Sequence, residues 1–127
     1  MKTTNTSTFV DTVSFGSLAS IGGNGFTAVM NNGVNHTLDI TNSGFSNITG
    51  KGVAVTNSGA GHTVFTMSNT GVISTDTAAD FRKTGAGDLD VGLGNNAFTS
   101  SGGFGLYVDG SVGAGLLSVT NNSQNTT

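Results

Sequence analysis

Apolar residues along this chain fall into short alternating pairs divided by polar breaks. Val13/Phe15, Leu38/Ile40, Phe65/Met67, Val91/Leu93 and Leu117/Val119 recur at spacings of 25, 27, 26 and 26 residues. Each i, i+2 pair puts both side chains on one face of a strand. A second apolar group follows each polar break: Leu18 and Ile21, Phe45 and Ile48, Val72 and Ile73, then Phe98. A third group holds a gap-free column at a period of 26, formed by Val29, Val55, Phe81 and Tyr107. Just after it, Gly33, Gly59, Gly85 and Ser111 align, as do Asn35, Gly61, Gly87 and Gly113. No apolar pattern at i, i+3, i+4, i+7 persists, and Gly and Asn interrupt every stretch, so helix is disfavoured throughout.

The repeating unit is therefore three strands and three turns in about 26 residues. Units of 10–35, 36–61, 62–87 and 88–113 follow, with a partial unit at 114–127 and a polar N-terminal arm at 1–9. One such unit has too few apolar residues to fold alone, so the units must stack. Stacking predicts a single-domain, all-β, parallel β-solenoid of four full rungs and a partial one. Its interior ladder is expected to contain Val29, Val55, Phe81 and Tyr107, with Leu117 and Val119 opening the partial rung. Phe9 and Val10 from the arm of a neighbouring subunit are expected to complete that rung. The alternative is a β-sandwich, such as a pilin-like subunit, with strands every 8–12 residues.

Composition supports a sheet protein with many turns. The 127 residues include 21 Gly and eight Phe, with 35% hydrophobic and only 9% charged residues. Disordered chains carry more charge and fewer aromatic and β-branched residues. A net charge of −3, from seven acidic and four basic residues, leaves no basic footprint for nucleic acid. The absence of Cys excludes disulfides and thiolate metal sites. No apolar run approaches the roughly 20 residues of a membrane-spanning helix. The opening MKTTNTSTFVD has no apolar h-region, so it does not fit a cleavable signal peptide.

ITNSGFSNITGKGVAVTNSGAG (40–61) and MSNTGVISTD (67–76) carry Asn42-Ser43-Gly44, Asn57-Ser58-Gly59 and the variant Asn69-Thr70-Gly71. These resemble the repeats in β-helical passenger domains of bacterial autotransporters and filamentous-haemagglutinin-like surface proteins. The resemblance implies a right-handed β-helix and an extracellular, surface-associated role in a bacterium. The Gly-, Asn-, Thr- and Asp-rich composition is also similar to that of proteins exported by type I secretion.

Several chemical motifs are by-products of Gly richness. Gly92-Leu93-Gly94-Asn95-Asn96-Ala97 matches a dinucleotide pattern, but no helix can follow it to hold a pyrophosphate. Gly44 and Gly50-Lys51 miss the phosphate-loop spacing by one, and Gly52 stands where Ser or Thr belongs. GGNGFTAVM (22–30) and GGFGLYVDG (102–110) have the glycines of a calcium repeat, but Thr27 and Tyr107 replace its ligand Asp. His36 and His62 stand one period apart with Asp88 next, the candidate ligands for Zn²⁺ or Cu²⁺; a polar ladder at a corner, where polar residues belong anyway, is the favoured reading, and no metal is expected. Asp76, Asp80, Arg82 and Lys83 form the densest charge cluster, with Asp80 and Arg82 expected to share the outward face beside inward Phe81. Five Asn-x-Ser/Thr sequons, at Asn5, Asn35, Asn47, Asn121 and Asn125, carry little weight in so Ser- and Thr-rich a chain.

These features point first to a non-enzymatic structural subunit of an extracellular filament or matrix fibre, needing no cofactor and polymerising head-to-tail. Neither end shows a helical cap, and Pro and Lys gatekeepers are scarce. The second expectation is an adhesin or fibre-tip module whose Asn/Thr-rich face contacts glycan. The third is a polysaccharide-active enzyme using the Asp80/Arg82 face.

Overall fold

A computed structural model describes residues 2–4, 9–13, 17–19 and 21–121, the first two segments as backbone only. All the regular structure among them is strand. Strand β1 (Lys2–Thr4) precedes four triplets. These are β2 (Phe9–Val13), β3 (Leu18–Ala19) and β4 (Phe26–Met30); then β5 (His36–Thr41), β6 (Gly44–Ile48) and β7 (Val53–Asn57). Next come β8 (Thr63–Ser68), β9 (Gly71–Ser74) and β10 (Ala79–Lys83), then β11 (Leu89–Gly94), β12 (Ala97–Ser100) and β13 (Leu106–Asp109). Strand β14 (Leu117–Asn121) opens a fifth turn.

Every strand pairs in parallel with its equivalent one turn away, which builds three sheets. Sheet A runs β1-β4-β7-β10-β13, sheet B runs β2-β5-β8-β11-β14, and sheet C runs β3-β6-β9-β12. The chain is therefore a parallel β-solenoid of four complete turns, as the repeat requires. Lys2–Thr4, assigned to the arm by the sequence, instead pairs with Thr27–Val29 of sheet A.

Inward columns fill the interior. Leu38, Phe65 and Val91 stack on sheet B, Ile40, Met67 and Leu93 beside them, and Phe45, Val72 and Phe98 on sheet C. All nine are buried. The Phe65 and Phe81 rings meet across the core at 5.3 Å between centroids.

The repeat length is not constant, and this corrects the expected ladder. Sheet A pairs Phe26 with Val53, Val53 with Ala79 and Ala79 with Leu106, offsets of 27, 26 and 27 residues. A one-residue slip sends a side chain to the opposite face of a strand. Hence Val55 and Phe81 do share an inward column, but Ala28 and Val108 complete it. Val29 pairs with Thr56 and Tyr107 with Asp80, both in outward columns. The extra residue of the second turn sits in a bulge between Phe45 and Ile48, where Asn47 adopts φ 54°. On sheet B, Leu117 pairs with Leu89 and Val119 with Val91, an offset of 28.

The B-to-C corner is an asparagine ladder. Asn42, Asn69 and Asn95 have φ of 48°, 51° and 55°, a left-handed conformation that Asn tolerates better than most residues. Asn95 donates its side-chain amide to Asn69 Oδ1 at 2.7 Å. The A-to-B corner is built on glycine, because a Cβ on Gly61 would overlap the Val34 carbonyl and one on Gly87 the Gly61 carbonyl.

Candidate assembly interface

Sheets A, B and C end, at the C-terminal side, on β13, β14 and β12, each paired along one edge only among the described residues. Their outer edges present backbone donors and acceptors, the usual template for another strand. Apolar side chains gather at the same end. Phe104, Val108, Val112, Leu116 and Val119 are exposed, whereas only Ile73 is so among large hydrophobic residues in the preceding described turns. The difference lies in position rather than residue type. Val108 is 39% exposed, yet Val55 and Phe81 in its column are fully buried. Leu106 and Leu117 are half-buried and pack on the core from this end.

Leu117 and Val119, expected at the partial rung, do open it. Phe9 and Val10 belong instead to β2 in the first complete turn, opposite His36 and Thr37. They cannot also complete a neighbour's partial rung as expected; their side chains lie outside the described residues. So does Phe15. The apolar layer at Phe104, Val112 and Leu116 was missed because these residues fall in turns, between the alternating pairs that revealed the strands.

The charge cluster forms in part on the outward face of sheet A. Arg82 grips Asp80 through two bonds, Nε to Oδ1 at 2.7 Å and Nη2 to Oδ2 at 3.0 Å. Lys51, one turn earlier, pairs with the same carboxylate. Covered in this way, Asp80 is buried although it points away from the core. The Arg82 guanidinium lies 4.9 Å over the Tyr107 ring, and Tyr107 packs beside Phe104. The Asp80 hydrogen bond raises Arg82 further above its already high ordinary pKa. Asp109, hydrogen-bonded by Ser111 through both its amide and its hydroxyl, is held below the usual carboxylate range.

Lys83 leaves this cluster, which corrects its sequence grouping with Asp80. Two residues beyond inward Phe81, it too points inward and is buried. Its ammonium donates to the carbonyls of Gly85 and Val112, each at 2.9 Å. Asn57, its neighbour in the column, donates to the Gly61 and Asp88 carbonyls at 2.8 Å and accepts from the Gly59 amide. Together they tie down the A-to-B corner from inside. Asp76 is exposed and lies in a turn.

The expected metal ladder does not assemble. His36 pairs in register with Thr63, not His62, because the second turn is 27 residues long. His36 faces the interior, with Nε2 3.0 Å from Asn32 Oδ1. His62 lies outside and binds Asp90 at 2.8 Å. Asp88 accepts the Leu116 amide instead. Among the described residues no three His, Asp or Glu side chains gather in a metal-binding arrangement.

Two shallow grooves of about 320 and 330 Å³ flank Ile73 on the outward face of sheet C. Ser, Thr and Gly line much of both, and no titratable side chain faces either. The segment Gly92–Ala97 runs from strand β11 through the asparagine corner into β12, which leaves no helix for a dinucleotide phosphate. No family model, curated protein or solved structure matches the chain.

Proposed function

We propose that this protein is the structural subunit of an extracellular filament or matrix fibre, polymerising head-to-tail by stacking turn upon turn. The observation that carries this reading is the coincidence of three sheet edges, open among the described residues, with the apolar layer Phe104, Val108, Val112, Leu116 and Val119. A contact between unlike ends does not close on itself, so its product is a fibre rather than a dimer. The N-terminal turn offers edges of the same three sheets, on β1, β2 and β3. A second copy is thus the partner whose strands already match. The likeness to passenger-domain and haemagglutinin-like repeats supports a bacterial cell-surface setting, with export of type I character. In this reading the protein is no enzyme and needs no cofactor.

Negative-stain microscopy with sedimentation velocity over a concentration series tests the reading. Filaments that lengthen with concentration are expected; monodisperse particles at high concentration overturn it.

A second reading, a glycan-binding adhesin module, draws on the exposed Phe104 beside Tyr107 and Arg82. Aromatic faces of this kind stack on sugars. Glycan-array binding by a non-polymerising chain, lost in Tyr107→Ala, would favour it over the filament.

A further inference from the structure

The two incomplete turns belong to different sheets. Along each complete turn the chain visits sheet B, then C, then A. Among the described residues, the strand before the first of these is β1, a sheet A strand that pairs with β4. The described strand after the last is β14, a sheet B strand that pairs with β11. Among the described residues sheets A and B consequently have five strands each and sheet C four.

We infer that these partial turns mesh, so that β14 of one copy and β1 of the next lie on one shared level of the solenoid. This rests on the filament reading above and fixes its junction. The next copy's β1 takes the open edge of β13, and its β2 takes the open edge of β14. Both additions keep the parallel sense of the existing sheets. A closer stack is blocked, because β13 already holds the sheet A place on the fourth level. A wider one leaves the edges of β13 and β14 unpaired as well as that of β12, whereas the meshed stack leaves a gap in sheet C alone, between β12 and the next copy's β3. The subunit step is therefore five strand spacings, about 24 Å, and not the roughly 19 Å of four.

Cryo-electron microscopy or fibre diffraction of the full chain reads this step directly. The expected result is a strand repeat of about 4.8 Å along the axis with a subunit rise of about 24 Å. Filaments with a rise of about 19 Å, or one unrelated to the strand spacing, overturn the meshed junction while leaving the filament reading intact. A chain that stays monomeric at every concentration overturns both. Val108→Lys supplies a second measurement, since Val108 sits on the β13 edge and is already partly exposed. Loss of filaments with an unchanged far-UV spectrum is expected. Filaments of V108K with the wild-type rise would show that β13 does not receive the next copy.

Discussion

Val119 lies in register with Val91 one turn away, yet Val119 is 40% exposed and Val91 only 2%. The two differ in what lies above them, since Val91 has a further strand on its outer side. Their contrast measures the apolar surface that one more turn would cover. Val119→Lys should cost the monomer little, within about 0.5 kcal/mol, because exposed positions tolerate charge. It should abolish polymerisation by placing an ammonium in the junction. Urea denaturation and light scattering on the same samples check both halves. Unaltered filaments would remove Val119 from the interface.

Phe81 makes the opposite case. It is fully buried, and its ring packs on Phe65 across the core. Phe81→Ala should destabilise the fold by about 3–5 kcal/mol, the transfer loss plus a cavity that stacked strands cannot collapse. Phe104→Ala, at a residue 61% exposed, should change monomer stability by less than about 0.5 kcal/mol. Comparable denaturation midpoints for the two variants would contradict this placement.

The sequence and the fold agree best where alternation is local. Leu38/Ile40, Phe65/Met67 and Val91/Leu93 fall inward because a strand's parity is set within a few residues. Facing across turns was harder to read, since a corner or bulge can absorb one residue without disturbing either flanking strand. Asn47 does so in the second turn, and residues 101–105 do so again before β13. Each added residue inverts the face assigned at a fixed period, which is why Val29, Tyr107 and the His36/His62 pair were misplaced together. Lys83 was legible after all: inward Phe81 places it inside, but its charge suggested the surface. Lys51 as a partner of Asp80 was not, because it comes from a turn 29 positions earlier.

Asp80 should couple energetically to Arg82. The carboxylate is 2% exposed while Arg82 and Lys51 retain 39% and 28% exposure, so the cations can rehydrate when the anion is removed. Asp80→Ala should therefore cost only about 1.5–3 kcal/mol, the range for hydrogen bonds to charged groups. Arg82→Ala leaves Lys51 as the remaining cation on a covered carboxylate. A double-mutant cycle should give a coupling of about 0.5–3 kcal/mol. A coupling indistinguishable from zero would mean that the pair is a solvated surface contact.

His36 should make the fold acid-sensitive. Its imidazole is 3% exposed, and burial holds its pKa below the ordinary histidine value. Nε2 serves as donor to Asn32 Oδ1, an oxygen that already accepts the Val34 amide. Nδ1 has no hydrogen-bond partner among the described residues, and neither has Thr63 Oγ1 in the same column. The folded protein thus favours neutral imidazole, whereas the unfolded chain binds a proton near pH 6.5. Below that pH the unfolded state holds more protons, so stability falls as pH falls, until the folded-state pKa is also passed. Above about pH 7.5 His36 contributes no slope. Urea midpoints at pH 7.5 and pH 5 should therefore differ in the native chain. The difference should shrink in His36→Leu, which continues the column with Leu89 and Leu117. An equal acid loss in His36→Leu would assign the sensitivity to another group.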